Sequence, residues 1–197
     1  MRARLYFGLL VIVTLSALPA GIVAGEKAGF TTTPKWDAIP AGPITGEANG
    51  RPFEAKAVFF EPSFGKWTLV IADRPLPDPL GLIFEGQTIK IDFEAAPRAG
   101  AKFEHPLKYG GGYFHIQKSD DPKDLTSWNG DNAYLIEITK WDVKPYQDGT
   151  DFSQLAGRAS GRIYIAYKAA GDLKDSWAAG TFTDAPVRYR GDPALKY

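Results

Sequence analysis

Between Gly161 and Lys168 the side chains alternate without a break: Ile163, Ile165 and Tyr167 fall on one face, Arg162, Tyr164 and Lys168 on the other. Period-two alternation of β-branched and aromatic residues predicts a half-buried strand. A second strand is predicted over Ala178–Asp184, where small residues let a facing layer approach closely. A strand pair of this length needs a whole sheet to bury its apolar face.

The upstream chain supplies that sheet. Ile44–Gly50 ends in Asn49-Gly50, a dipeptide that tolerates positive φ and marks a tight hairpin. The return strand, Arg51–Phe60, sets Phe53, Ala55, Ala57 and Phe59 against Glu54 and Lys56. Lys66–Asp73 is a third strand, with both faces covered. Gln87–Glu94 is a clear one, with Ile89, Ile91 and Phe93 facing in. Tyr113–Lys118 and Asn132–Val143 complete the set. Arg74–Pro79 carries Pro75, Pro77 and Pro79 and is read as a loop or sheet edge, followed by at most a short strand over Leu80–Phe84. Ala95–Gly112 reads as connection with a glycine tip at 110–112, and Ser119–Asp131 and Lys144–Gln154 as polar loops. There is no amphipathic helix of useful length. The expected fold is all-β: an antiparallel two-layer sandwich, jelly-roll-like, of about eight or nine strands. An eight-stranded barrel with an internal ligand is the alternative.

The ends change the picture. Arg2 and Arg4 precede an apolar run from Leu5 to Leu18 and a small, turn-prone stretch from Pro19 to Gly25. That is the layout of a secretory signal peptide over residues 1–24, with cleavage after Ala24 or Gly25. An uncleaved anchor is the competing reading, although a bilayer span needs about 20 apolar residues. Residues 25–43 hold three of the prolines and little periodicity, predicting an extended tether docked at Trp36. The β domain is placed at 44–191 and a tail at 192–197. The chain has no cysteine, which excludes disulfides, thiol nucleophiles and thiolate metal sites. Export without disulfides points to a bacterial periplasm or the extracellular medium.

After cleavage 21 basic residues face 23 acidic ones, and no basic run appears. Nucleic acid and anionic membrane surfaces are therefore poor partners. No membrane span is expected once the leader is gone.

Gly46–Val58, GEANGRPFEAKAV, carries a Gly-x-x-Asn-Gly-x-x-Phe hairpin, and SGRIYIAYK at 160–168 precedes AAGTF at 178–182. In these motifs the chain resembles a family of small exported bacterial all-β domains of uncharacterised function. The resemblance covers the two ends of the domain. It implies a fold and a compartment, and supplies no catalytic residues.

Candidate chemistry is sparse. His105 and His115 are the only imidazoles, and their spacing matches no metal motif. Asp120, Asp121, Asp124 and Asp131, with Asn129 and Asn132, form an oxygen-rich stretch that can be tested as a calcium loop, although their order is not that of an EF-hand. Of five tryptophans, Trp128 and Trp177 sit outside an obvious core pattern, unlike Trp67 and Trp141 within strands. An exposed indole in an exported β domain can stack on a sugar or anchor a protein. Tyr113 and His115 share one strand face and join them as candidate ligand contacts. No Gly-x-Ser-x-Gly elbow is present, and Ser160 reads as a turn hydroxyl. Paired carboxylates, such as Glu137 with Asp92, are what glycoside hydrolysis would need.

The expected function is an exported, non-enzymatic module of the bacterial envelope that binds a glycan or a protein through its loops. The alternatives are a polysaccharide hydrolase or lyase using carboxylates with His115 or Tyr113, and a purely structural envelope component. No cofactor beyond the calcium is called for.

Overall fold

The computed structural model describes residues 28–63, 65–83, 85–121, 123–144 and 153–190. The expected leader at 1–24 and the expected tail at 192–197 lie outside the described residues. The protein is all-β. Its strands are β1 (Thr45–Ala48), β2 (Arg51–Glu54), β3 (Ala57–Ser63), β4 (Lys66–Ala72), β5 (Thr88–Phe93), β6 (Lys102–Tyr109), β7 (Gly112–Gln117), β8 (Leu125–Trp128), β9 (Asp131–Val143), β10 (Ser153–Tyr167) and β11 (Ser176–Arg190). One 3-10 turn, Trp36–Ala38, precedes them.

The strands form one curled sheet, a half-barrel, in the order β6-β9-β10-β11-β3-β4-β5-β7-β8, with the β1-β2 hairpin attached to β11. Every ladder is antiparallel except the seam between β11 and β3, a single parallel bridge from Val187 to Phe60. The seam divides the sheet into a front layer, β6-β9-β10-β11, and a back layer, β3-β4-β5-β7-β8. The two expected layers are thus two halves of one sheet folded over a common core.

The alternation read from the sequence sets what fills that core. Ile89, Ile91, Phe114 and Ile116 of the back layer meet Ile136, Ile138, Ile163 and Ile165 of the front layer in one cluster, all fully buried. Each such aliphatic side chain contributes about 1.5–3 kcal/mol on burial. The longest strands bend to span both halves. β10 and β11 shift register between Leu155 and Gly157 and between Ala159 and Gly161. Asp184, at φ 49°, takes up the second kink, where Ser160 Oγ accepts its N–H at 3.1 Å. Bulges of this kind increase local twist and turn a flat ladder into a curved one.

The outer face of the back layer is pinned by a buried ion pair. Arg188 is 1% exposed and bonds Glu61 at 2.9 Å. It also donates to the Gly81 carbonyl at 2.7 Å and lies over the Phe59 ring at 4.0 Å. The guanidinium thereby holds the proline-containing loop after β4 against the sheet.

Several strand expectations need correction. β6 lies where a connection was expected; it is an edge strand containing Pro106, and its register breaks between His105 and Lys108. β8 lies inside the expected polar loop. Residues 80–83 form no strand, and β10 and β11 extend well beyond the expected spans. Residues 145–152 of the expected loop lie outside the described residues.

Candidate ligand-binding groove

The outer face of the front layer carries a second, smaller apolar cluster. Leu135, Tyr164, Ala166 and Ala179 project from β9, β10 and β11, and Ile39 of the preceding segment packs on them with Phe30, Trp36 and Trp177 around it. Residues 28–43 therefore form a strap across the sheet. Tyr164 is its main anchor. The phenol oxygen accepts the Thr31 N–H at 2.7 Å and donates to the Gly29 carbonyl at 2.8 Å. Further along, Trp36 Nε1 donates to Glu104 at 3.0 Å, and Arg162 donates to the Trp36 carbonyl at 3.1 Å. Lys102 and Arg162 both stand over the Trp36 ring, at 5.2 and 5.6 Å from its centroid. Burial holds the Tyr164 hydroxyl neutral, with its pKa pushed up to about 12 against the pull of the Thr31 hydrogen bond.

Between the strap and the β1-β2 hairpin runs a groove of about 720 Å³. Trp177 lies half-buried on its floor, opposite Glu47 in the β1 register and Ala166 in the β10 register. Pro40 and Pro43 line the strap side, and Pro52, Glu47 and Glu54 the hairpin side. Two glycines set its width. A Cβ on Gly46 would stand 1.9 Å from the Trp177 carbonyl oxygen, so only glycine lets β1 pair there. Gly180, at φ 150°, lets Pro43 close in; a Cβ would meet its carbonyl at 2.6 Å. The hairpin is tied to the loop before β11, where Asn49 accepts the Lys174 N–H at 3.0 Å and donates its own N–H to Ser176 Oγ at 2.8 Å.

The groove offers an indole, proline rings and two exposed carboxylates. Glu54 is ion-paired with Lys56, while Glu47 has no ion-pair partner among the described residues. An apolar floor with a few polar groups at its edge is how small-ligand sites are generally built.

The other candidate residues do not gather here. Trp128 corrects the expectation of an exposed indole: it is 5% exposed, in β8 opposite Phe114, with its ring 5.5 Å from Tyr167. Tyr113 and His115 lie on the outer face of the back layer, their rings 5.1 Å apart, with Lys90 over Tyr113. Burial lowers the His115 pKa, and the nearby Lys90 charge adds to the effect. His105 stacks on Tyr134 at 5.0 Å, and burial lowers its pKa as well.

The four aspartates make separate contacts. Asp120 pairs with Arg51 at 2.9 Å, Asp121 accepts the Lys123 N–H at 2.9 Å, and the Asp131 carbonyl accepts the Lys168 N–H at 2.9 Å. Asp124 closes the same turn through its backbone. Among the described residues no three His, Asp or Glu side chains stand together as metal ligands. The stretch consists of turn-forming residues, as Asp and Asn commonly are. Glu137 bonds Arg162 at 2.6 Å, and Asp92 accepts from Thr68 at 2.7 Å. These carboxylates alternate with core residues of different layers and do not face each other.

Sequence reasoning found Trp177 and missed the walls, because they come from three segments far apart in the chain. The available signal was local: Trp177 is flanked by Ser176 and by Ala178-Ala179-Gly180. An indole beside such small neighbours stands above its surroundings. Among the described residues no helix is long and apolar enough to cross a membrane. Comparison of the chain with protein-family models, curated proteins and solved structures returns no match.

Proposed function

We propose that the protein is an exported, non-catalytic β module that binds an uncharged glycan in the groove floored by Trp177. The observation that carries this reading is a half-buried indole at the base of a groove of about 720 Å³, with Glu47 and Glu54 at its edge. The apolar face of a pyranose packs on an indole, and its hydroxyls donate to carboxylates, giving charge-assisted hydrogen bonds. The same carboxylates repel uronic acids and sulfated sugars, so the groove favours neutral chains. The strap restrains one wall before any ligand arrives, which reduces the ordering cost of binding.

A glycan array probed with the protein lacking residues 1–24 tests this. Retention of neutral oligosaccharides is expected, with loss of at least tenfold in affinity for Trp177→Ala, since buried tryptophans commonly dominate a binding site. Glu47→Gln should weaken binding while leaving the packing of Trp177 intact. Reducing ends released from a bound oligosaccharide would instead identify the hydrolase reading. Equal retention by the wild type and Trp177→Ala would remove the groove from consideration.

A further inference from the structure

A second pocket, at the end of the half-barrel interior, has the opposite electrostatic character. Trp67, at the start of β4, meets Trp141 of β9 edge to face at 5.5 Å and Tyr189 of β11 at 5.9 Å. Together with Pro97 these rings enclose about 260 Å³. Ala96, Val143, Arg98 and Lys144 complete the lining, both cationic residues are solvent-exposed, and among the described residues no acidic one lines the pocket. Neither cation has an ion-pair partner among the described residues.

The backbone around the two cations is anchored. Lys144 donates its N–H to the Ala156 carbonyl at 3.0 Å, and its own carbonyl accepts the Tyr189 hydroxyl at 2.8 Å. The turn carrying Arg98 closes through Ala101 N–H to the Arg98 carbonyl at 3.0 Å, and Gly100 donates to Ile138 of β9 at 2.8 Å. Two cations are thus presented from fixed backbone at the mouth of an aromatic pocket.

We propose that this pocket binds a small aryl carboxylate, with its ring among Trp67, Trp141 and Tyr189 and its carboxylate between Arg98 and Lys144. The volume lies just below the range of roughly 300–1,000 Å³ that suits drug-sized ligands, so one ring with a short acid arm fills it. Edge-to-face aromatic walls select a flat ring over a flexible chain, because rings contribute beyond their buried area in that geometry. Two cations with no acid beside them among the described residues favour an anion.

The test is titration of the protein with 3-phenylpropionate, followed by indole fluorescence, with 3-phenylpropanol and octanoate as controls. Saturable binding of the acid is expected, about tenfold or more tighter than the alcohol and tighter than octanoate. Lys144→Met and Arg98→Met should each lower affinity for the acid about five- to tenfold and leave the alcohol unchanged, as loss of a charge-assisted contact requires. Both positions are exposed, so the variants should fold. Trp177→Ala should leave this binding unchanged, which separates the pocket from the groove. Equal affinity for acid and alcohol, preference for octanoate, or no saturable binding would overturn the proposal.

Discussion

Trp128 and Trp177 look alike in the chain. Each follows a serine, and each lies beside a polar stretch rich in aspartate. The fold treats them in opposite ways. Trp128 faces Phe114 across the β7-β8 ladder and is buried against Tyr167 in the interior. Trp177 faces Glu47 across the β1-β11 ladder and lies on the outer surface, where the strap covers it in part. The difference is one of parity. Side chains alternate faces along a strand, so a shift of one residue in either register would exchange core and surface. An indole's availability to a ligand is therefore decided by its cross-strand partner and not by the polarity of its neighbours in sequence.

The largest expected effect tests the inner side of this comparison. Ile165→Asp places a carboxylate two residues from Tyr167 on the same buried face, at a position with no exposure. An unpaired buried charge costs several kcal/mol, comparable to a domain's whole margin of about 5–15 kcal/mol. The variant should be unfolded at room temperature by circular dichroism. A native melting transition would mean that the inward face has been misassigned.

Trp128→Ala comes next. Removing an enclosed indole should cost about 3–5 kcal/mol in denaturant unfolding, whereas Trp177→Ala, at a half-open site, should cost clearly less. Equal losses would erase the distinction between the two.

The strands were largely legible in the sequence. β5, β7 and β9 have the alternation that half-buried strands require, β4 is covered on both faces as its sequence predicts, and the Asn49-Gly50 turn fixes the β1-β2 hairpin. β6 was not legible because it is an exposed edge broken by Pro106, and β8 because four residues in a polar run carry too little periodicity. The groove was legible only at Trp177. Its strap wall reads as a proline-rich tether, and nothing in residues 28–43 announces that Tyr164, more than a hundred positions later, will hold them. Tertiary placement of this kind depends on which faces end up adjacent, and no local pattern records it.

Alkaline pH provides a smaller test on both sides of the sheet. Burial raises Tyr134, in the core, to about 12, with the Glu94 and Asp92 charges adding to the effect, and raises Tyr164, under the strap, to about 12. In the unfolded chain both ionise near 10, so above that pH the unfolded state loses protons that the fold retains. Stability is then full below about pH 10 and falls on the order of 2–5 kcal/mol as pH rises toward 12. Tyr164→Phe should remove part of this dependence and cost about 1–3 kcal/mol at neutral pH through the orphaned strap groups. A stability curve unchanged by that variant would mean that the strap is not held as described.

The acid side should show the smallest effect. Burial lowers both His105 and His115, so the unfolded chain takes up protons first as pH falls through about 6.5. Stability should decline gently below that value. His115→Gln with His105→Gln should flatten the decline in urea titrations at pH 7 and pH 5, and an unchanged slope would rule out the histidines as its source.

In the proposed function Trp177 is the indole that meets the glycan. The chain has five tryptophans, each with its own indole N–H signal in a nitrogen-resolved proton spectrum. Titration of the folded protein with a neutral oligosaccharide retained on the array should shift the Trp177 signal progressively to saturation and leave the Trp128 signal in place. A Trp177 signal that stays fixed while binding is observed, or a Trp128 signal that moves in its stead, would contradict it.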